Sequence, residues 1–177
     1  MDELILVTPA PEHEAAAFEY LAEFREHHSP IHGVGYLDQY EDYGQWLASL
    51  EAMRDANRAP EGFVTADTFF LERRTDGRLL GIINIRYRLN DYLLREGGHI
   101  GYSVRPTERR KGYATAMLKM ALDRCRALGL KRVLITCDKQ NTGSARAIQK
   151  NGGVLENEIT GSHLADVLQR YWIELEG

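Results

Sequence analysis

The stretch Arg109-Arg110-Lys111-Gly112-Tyr113-Ala114-Thr115 gathers three cations at one glycine. Behind it Ala114, Met117, Leu118, Ala121, Leu122, Cys125 and Leu128 recur every three or four residues. That spacing predicts an amphipathic helix from Tyr113, with Gly129 at its C-terminal stop. A helix start has N–H groups without internal partners and carries partial positive charge, so anion chemistry is predicted here. Gly112 would let a ligand reach the main chain. Neither GxxxxGK[ST] nor GxGxxG occurs, so neither a P-loop nor a Rossmann dinucleotide site is supported.

Other reactive types are less well arranged. His27, His28 and His32 lie near one another in sequence, but Pro30 interrupts any helical register and no Asp, Glu or Cys stands at ligand spacing, so no metal is expected. Cys125 and Cys137 form no CxxC pair and read as reduced, buried small residues. A nucleic-acid module would spread basic and aromatic residues over a surface. Here the sequence pI is about 5.9 and the cations concentrate at one helix start, so no nucleic-acid partner is expected.

The elements that would position this site can be read along the chain. "ELILVTP" predicts a short strand, followed by an acidic helix from about Glu12 to Glu26. "HHSPIHGVGY" predicts a loop. A second helix is expected over Leu37 to Ala56, with Tyr40, Tyr43, Trp46, Leu47, Leu50 and Met53 on one side, a stripe that suits a core face. Asp76-Gly77 between two strand-like runs predicts a hairpin. "GGHIGYSV" predicts a strand ending at Arg105-Pro106, and "KRVLITC" a buried one. A shorter helix over Thr142 to Lys150 and two final strands, "VLENEI" and "LQRYWIEL", complete the order.

The hairpin requires antiparallel neighbours, while the strand-helix-strand unit from His99 to Cys137 favours a parallel pair. A mixed sheet with helices on both faces accommodates both. The 177 residues suit a single domain spanning 1–177. No signal-peptide order and no long apolar run is present, so a cytoplasmic protein without a membrane partner is expected. The net charge of -4 is divided unevenly: residues 1–62 hold 13 acidic and 3 basic side chains, and residues 63–177 hold 13 acidic and 19 basic.

"HIGYSVRPTERRKGYATAML" resembles the acyl-coenzyme A site of the GCN5-related N-acetyltransferase (GNAT) family, in which Arg or Gln, two residues, Gly, one residue and Gly or Ala follow a strand. The strand ending at Val104, the Arg105-Pro106 turn, the long helix, "RVLITC", and Asn141 with Ser144 fall in the family's order. The resemblance is strongest over residues 68–158 and is to bacterial predicted acetyltransferases with no assigned substrate. It implies an α/β (α+β) GNAT fold, a mixed and mostly antiparallel sheet of about six or seven strands with helices on both faces.

The same resemblance implies that main-chain N–H groups of Arg110, Lys111, Gly112, Tyr113, Ala114 and Thr115 hold the pyrophosphate of acetyl-CoA, with Arg109 shaping the loop. The edge of Tyr102, Ser103 and Val104 would bond the pantetheine arm, with Asn141 and Ser144 nearby. Family bases often stand on this strand, which makes His99 the first candidate and Glu96 the second; an ordinary imidazole near 6.5 suits neutral pH. The place where many relatives carry an acidic tyrosine holds Ile148, so either the thiolate leaves without a dedicated acid or a tyrosine elsewhere, Tyr102, Tyr113 or Tyr171, supplies the proton, and the general acid stays unassigned.

The implied activity is acetyl-CoA-dependent N-acetyl transfer to a primary amine of a small molecule or a protein, without a metal. The acidic first third, with Tyr36, Tyr40, Tyr43 and Trp46, is expected to form the acceptor side and to suit a cationic amine. A noncatalytic acyl-CoA-binding sensor is the alternative, and a homodimer is left open.

Overall fold

The computed structural model describes residues 3–162 and 167–175. Strands β1 (Leu4–Val7), β2 (Ala66–Arg73), β3 (Arg78–Arg86) and β4 (Ile100–Val104) form one antiparallel sheet in that order. Strands β5 (Arg132–Asp138), β6 (Val154–Thr160) and β7 (Val167–Glu174) form a second in the order β5-β7-β6, also antiparallel. The helices are α1 (Glu14–Glu26), α2 (Tyr43–Met53), α3 (Tyr113–Ala127) and α4 (Thr142–Lys150), with short single turns between several elements.

Alternation along the hairpin decides which helices cover which face. Phe70, Leu79 and Ile82 pack with Tyr20, Leu21 and Phe24 of α1 and Trp46 of α2. Phe69, Leu71, Leu80, Ile83 and Ile85 face the other way, onto Met117, Leu118, Ala121 and Leu122 of α3 and Ile148 of α4. Each fully buried Leu, Ile or Phe contributes roughly 1.5–3 kcal/mol, so the two apolar faces of β2 and β3 bind both helix layers to one sheet.

Two expectations are corrected. The helix expected over Leu37 to Ala56 begins only at Tyr43. Tyr36 takes a left-handed φ of 64°, a short turn follows at Leu37–Gln39, and Asp42 restarts the chain by accepting a hydrogen bond from Gln45 N–H at 2.9 Å. The parallel pair expected across the β4-α3-β5 unit does not form a ladder; the sheet divides there instead.

A polar network fixes α1 against the end of β4. Arg105, 1 % exposed, donates to Leu79 O at 2.8 Å, to Glu19 Oε1 at 3.0 Å and to Glu23 Oε2 at 2.8 Å. Glu23 also accepts from the N–H and hydroxyl of Thr107, both at 2.8 Å. Tyr20 donates to Ser103 Oγ at 3.0 Å. Breaking a buried ion pair is costly, so Arg105→Ala, which leaves Glu23 with only its bonds from Thr107 and Leu79 O without its donor, is expected to cost ~3 kcal/mol. A thermal melt should fall by roughly 6–12 °C; a fall of a degree or less would remove the network from the account.

Candidate functional site

The division of the sheet starts at one residue. His99 N–H donates to Leu134 O at 2.7 Å, and Leu134 N–H donates to His99 Nδ1 at 2.9 Å. An imidazole nitrogen thus takes the place of a backbone carbonyl, and the regular ladder stops. Gly98 makes the approach possible: with φ at +65°, a Cβ there would lie 2.7 Å from Leu134 O.

Beyond His99 the outer edge of β4 is open. Arg86 N–H donates to His99 O at 2.7 Å and Arg105 N–H to Leu80 O at 2.8 Å. In an antiparallel pair alternate residues bond the partner, so Gly101 and Ser103 spend their main-chain groups on β3. Those of Tyr102 and Val104 face the β5 side. Ser103 is therefore a packing residue, because its hydroxyl is also bonded by Tyr20. The Tyr102 side chain crosses towards α4, its hydroxyl 2.8 Å from Ser144 Oγ. Burial pushes the Tyr102 pKa up to about 12, against the lowering effect of Ser144.

The glycine-centred loop closes the wide end of this gap. Arg109 Nε donates to Val104 O at 3.1 Å, its terminal nitrogen donates to Ser29 Oγ at 2.7 Å, and its guanidinium lies 5.3 Å from the Phe24 ring centre. Arg109 thus ties the loop to β4 and α1. Arg110 has φ at 65° and Gly112 φ at 87°, so two left-handed residues wind the chain into α3. The first bond of α3 runs from Ala116 N–H to Gly112 O at 3.1 Å, and no side chain caps the helix. A Cβ on Gly112 would meet nothing within 4 Å. The N–H groups of Ala114 and Thr115 have no carbonyl one turn earlier in the helix. This arrangement fits a diphosphate.

The cations divide their work. Lys111 Nζ bonds Glu108 at 2.8 Å, and the buried Glu108 also faces Arg78 at 3.0 Å and Arg73 at 3.7 Å. Lys111 is thereby paired within the protein, although its side chain stays exposed. The Tyr113 ring is buried, with its hydroxyl accepting from Arg73 at 3.3 Å. Asn141 caps α4, its Oδ1 accepting from Ser144 N–H at 3.0 Å. Ile148 is wholly buried in the core.

The two base candidates have different surroundings. His99 is 7 % exposed; burial first, and then the Arg86 cation, lower its pKa to about 4. With Nδ1 accepting from Leu134, the imidazole is neutral at pH 7 and carries its proton on Nε2. It has no lone pair to offer an amine, so the expectation of a base at His99 does not fit its position. Glu96 lies in the turn before β4, where Thr136 of β5 donates to its carbonyl at 2.5 Å. Its carboxylate accepts from Ser162 Oγ at 2.6 Å and Ser162 N–H at 3.1 Å, with Arg95 Nε at 3.2 Å. Those bonds hold its pKa below the usual carboxylate range and keep it ionised.

The expected acceptor side is corrected in part. Tyr43 and Trp46 are core residues, bonded to Ala10 O at 3.2 Å and Gly35 O at 2.8 Å respectively. Tyr40 packs against the same core, and Tyr36 alone of the four is strongly exposed. His32 lies near Asp138 at the end of β5; burial lowers its pKa while Asp138 opposes the shift. Among the described residues no three His, Cys, Asp or Glu side chains gather as a metal site.

Two residues escaped the sequence reading. Gly33 presses the α1-α2 loop onto β4: a Cβ there would lie 2.1 Å from Gly101 O and 2.3 Å from Tyr102 N. Arg86 of β3 lies under the same loop. The Gly33-Val34-Gly35 spacing hinted at a close approach, but nothing local named its target.

Residues 3–154 match the family model described as an acetyltransferase (GNAT) domain. Among solved structures, RimJ from Mycobacterium smegmatis, in complex with CoA-disulfide, superposes with a TM-score of 0.72 at 21 % identity, covering 97 % of this chain and 81 % of that one. The ribosomal-protein-S5-alanine acetyltransferase of Vibrio fischeri gives 0.71 at 16 % identity, with 98 % and 92 % covered. The spermidine/spermine N-acetyltransferase SpeG of Vibrio cholerae gives 0.66 at 18 %, with 97 % and 94 % covered. No curated protein matches in sequence.

The His99 pin has a pH consequence. Its folded pKa, about 4, lies below the ordinary 6.5, so the unfolded chain takes up the proton first. The contribution is whole above pH 6.5 and is lost as pH falls towards 4, at a cost of ~2–3 kcal/mol. Denaturant midpoints measured from pH 7.5 to 4.5 should fall steeply for the wild type and less for His99→Gln, which starts lower. Parallel curves would contradict the pin.

Proposed function

The chain belongs to the GNAT acetyltransferase family, and from that premise we propose that it moves an acetyl group from acetyl-CoA to a primary amine of a small molecule or protein. The observation that carries the reading is the opened edge of β4, which leads to an uncapped α3 behind a glycine with free space above it. The described residues would act as one catalytic domain. A cytoplasmic setting is part of the proposal, because acetyl-CoA is an intracellular metabolite. No helix among the described residues is long and apolar enough to cross a membrane.

Acetyl-CoA, when bound, supplies the activated acyl group as a thioester. The N–H groups from Arg110 to Thr115 hold its diphosphate, as favoured at a helix start. The outer main-chain groups of Tyr102 and the N–H of Val104 align the pantetheine arm, and Asn141 and Ser144 border it. The Tyr102 N–H stands where negative charge on a carbonyl oxygen would be met by a fixed donor.

An alkyl ammonium with an ordinary pKa near 10.4 has to lose a proton before it attacks. That proton goes to solvent, and in this scheme Glu96, held ionised and with its carbonyl bonded to Thr136 of β5, takes the second proton from the nitrogen as the C–N bond forms. The Tyr102-Ser144 hydroxyl pair stands beside the path of the leaving thiolate, and its raised pKa keeps Tyr102 a donor.

A low Glu96 pKa makes the neutral amine the pH-limiting species. Log(kcat/KM) for a simple amine should therefore rise with a slope near one from pH 6 to 8.5, and Glu96→Gln should lower kcat at least tenfold with KM for acetyl-CoA unchanged. A full-rate Glu96→Gln enzyme would remove this base.

Acetyl-CoA at 100 times its Kd should add ~2.7 kcal/mol of stability. Gly112→Asp is expected to abolish that protection, while Lys111→Ala should keep most of it. No protection of the wild type would overturn the transferase reading; protection without turnover of any amine would turn it into the sensor.

A further inference from the structure

Arg86 is the last residue of β3, and its side chain stands on the α1-α2 side of the sheet, as does Asn84, which bonds Thr68 Oγ1 at 3.0 Å. One terminal nitrogen donates to Gly97 O at 2.8 Å and to Gly98 O at 3.3 Å. Those carbonyls fix where the guanidinium sits but bring no full negative charge. The other terminal nitrogen lies beside Gly101, 3.2 Å from where a Cβ would be. No carboxylate among the described residues forms an ion pair with Arg86; its electrostatic neighbours of opposite tendency are the hydroxyls of Tyr36 and Tyr92, and burial lowers its pKa.

A crowded guanidinium without a carboxylate is unusual in this chain. Of the five described arginines that are not exposed, Arg73, Arg78, Arg105 and Arg170 each have one within 4.0 Å, and Arg86 does not. Partial desolvation of a cation costs free energy that a bound anion would offset. The surroundings also favour an organic ligand: Tyr36 is 51 % exposed, Tyr92 63 % and Phe63 42 %, with the Tyr36 and Phe63 rings 5.9 Å apart. Three of the large apolar side chains most open to solvent thus surround the same β3-β4 end, beside Gly33 and the Tyr102 peptide.

We propose that Arg86 is a specificity residue that pairs with an anionic group, carboxylate or phosphate, of the acceptor amine, while Tyr36 and Tyr92 flank the acceptor's body. The acceptor is then a zwitterion such as an amino acid or an amino phosphate, rather than the purely cationic amine that the acidic first third suggests. Arg86 bonds to Gly97 and Gly98 at the base of the strand, which sets the anion's position relative to Tyr102. The fork geometry of arginine suits both anions. This inference rests on the acetyltransferase reading and deepens it.

The test is calorimetric titration of matched products into the CoA-bound protein: N-acetyltyrosine against N-acetyltyramine, and N-acetyl-O-phosphoethanolamine against N-acetylethanolamine. In the wild type at least one anionic product should bind ten times tighter or more than its neutral partner; which pair shows the ratio identifies carboxylate or phosphate. Arg86→Gln should reduce that ratio to about one with CoA affinity preserved, although loss of the bonds to Gly97 O and Gly98 O lowers its melting temperature, and Arg86→Lys should restore part of it. Equal affinities in both pairs, no binding of either anionic product, or a ratio that survives Arg86→Gln would overturn the proposal. Each of those outcomes leaves acetyl-CoA protection of the wild type intact, whereas failure of the transferase reading would appear as loss of that protection.

Discussion

The structure depends on a single substitution of partners: Leu134 N–H bonds an imidazole nitrogen where a strand neighbour would offer a carbonyl. With His99 N–H returning a bond to Leu134 O, β4 and β5 are joined at their first contact and then separate. Two strands that stayed paired would bury the outer groups of Tyr102 and Val104 in a ladder. Separated strands leave the Tyr102 groups and the Val104 N–H for a ligand, while Arg109 takes the Val104 carbonyl. The histidine is neutral because burial and the Arg86 cation disfavour its protonated form, so the same field that makes it a poor base makes it a reliable acceptor.

A gap between strands needs rigid walls. On one side Arg105 binds Glu19 and Glu23 of α1 and the carbonyl of Leu79, while Tyr20 holds the Ser103 hydroxyl. On the other, Asn141 caps α4 and Ser144 reaches Tyr102. Charge near the helix start is arranged by the same logic. Glu108 pairs with Lys111 and Arg78, and Arg109 is spent on Val104 and Ser29. The anion site is then made by main-chain N–H groups and a glycine, with Arg110 an exposed cation beside it that has no carboxylate partner among the described residues.

Local pattern made much of this legible. The spacing behind Tyr113, the Asp76-Gly77 hairpin and the order of the later strands depend on neighbours within a few residues, and the structure has each of them. The loop signature was legible for the same reason. What the sequence did not reveal depends on contacts between distant residues. His99 reads as a catalytic imidazole until Leu134 is found against its Nδ1, 35 residues away. The aromatic stripe of Tyr43 and Trp46 suits a core face and an acceptor wall alike in sequence, and Phe70 stacked 5.9 Å from Trp46 makes it core. Gly33 and Arg86 meet β4 through tertiary approach alone, and no spacing rule signals that.

The central claim is that the divided β4-β5 edge and the start of α3 form one coenzyme site built from main-chain N–H groups. An amide-resolved NMR titration with acetyl-CoA tests it most directly. The account predicts the largest shifts at the N–H groups of Tyr102, Val104 and Gly112 to Thr115, with those of Gly101 and Ser103 moving less because they are bonded to β3. Unmoved Tyr102 and Gly112 signals at saturating acetyl-CoA would contradict it.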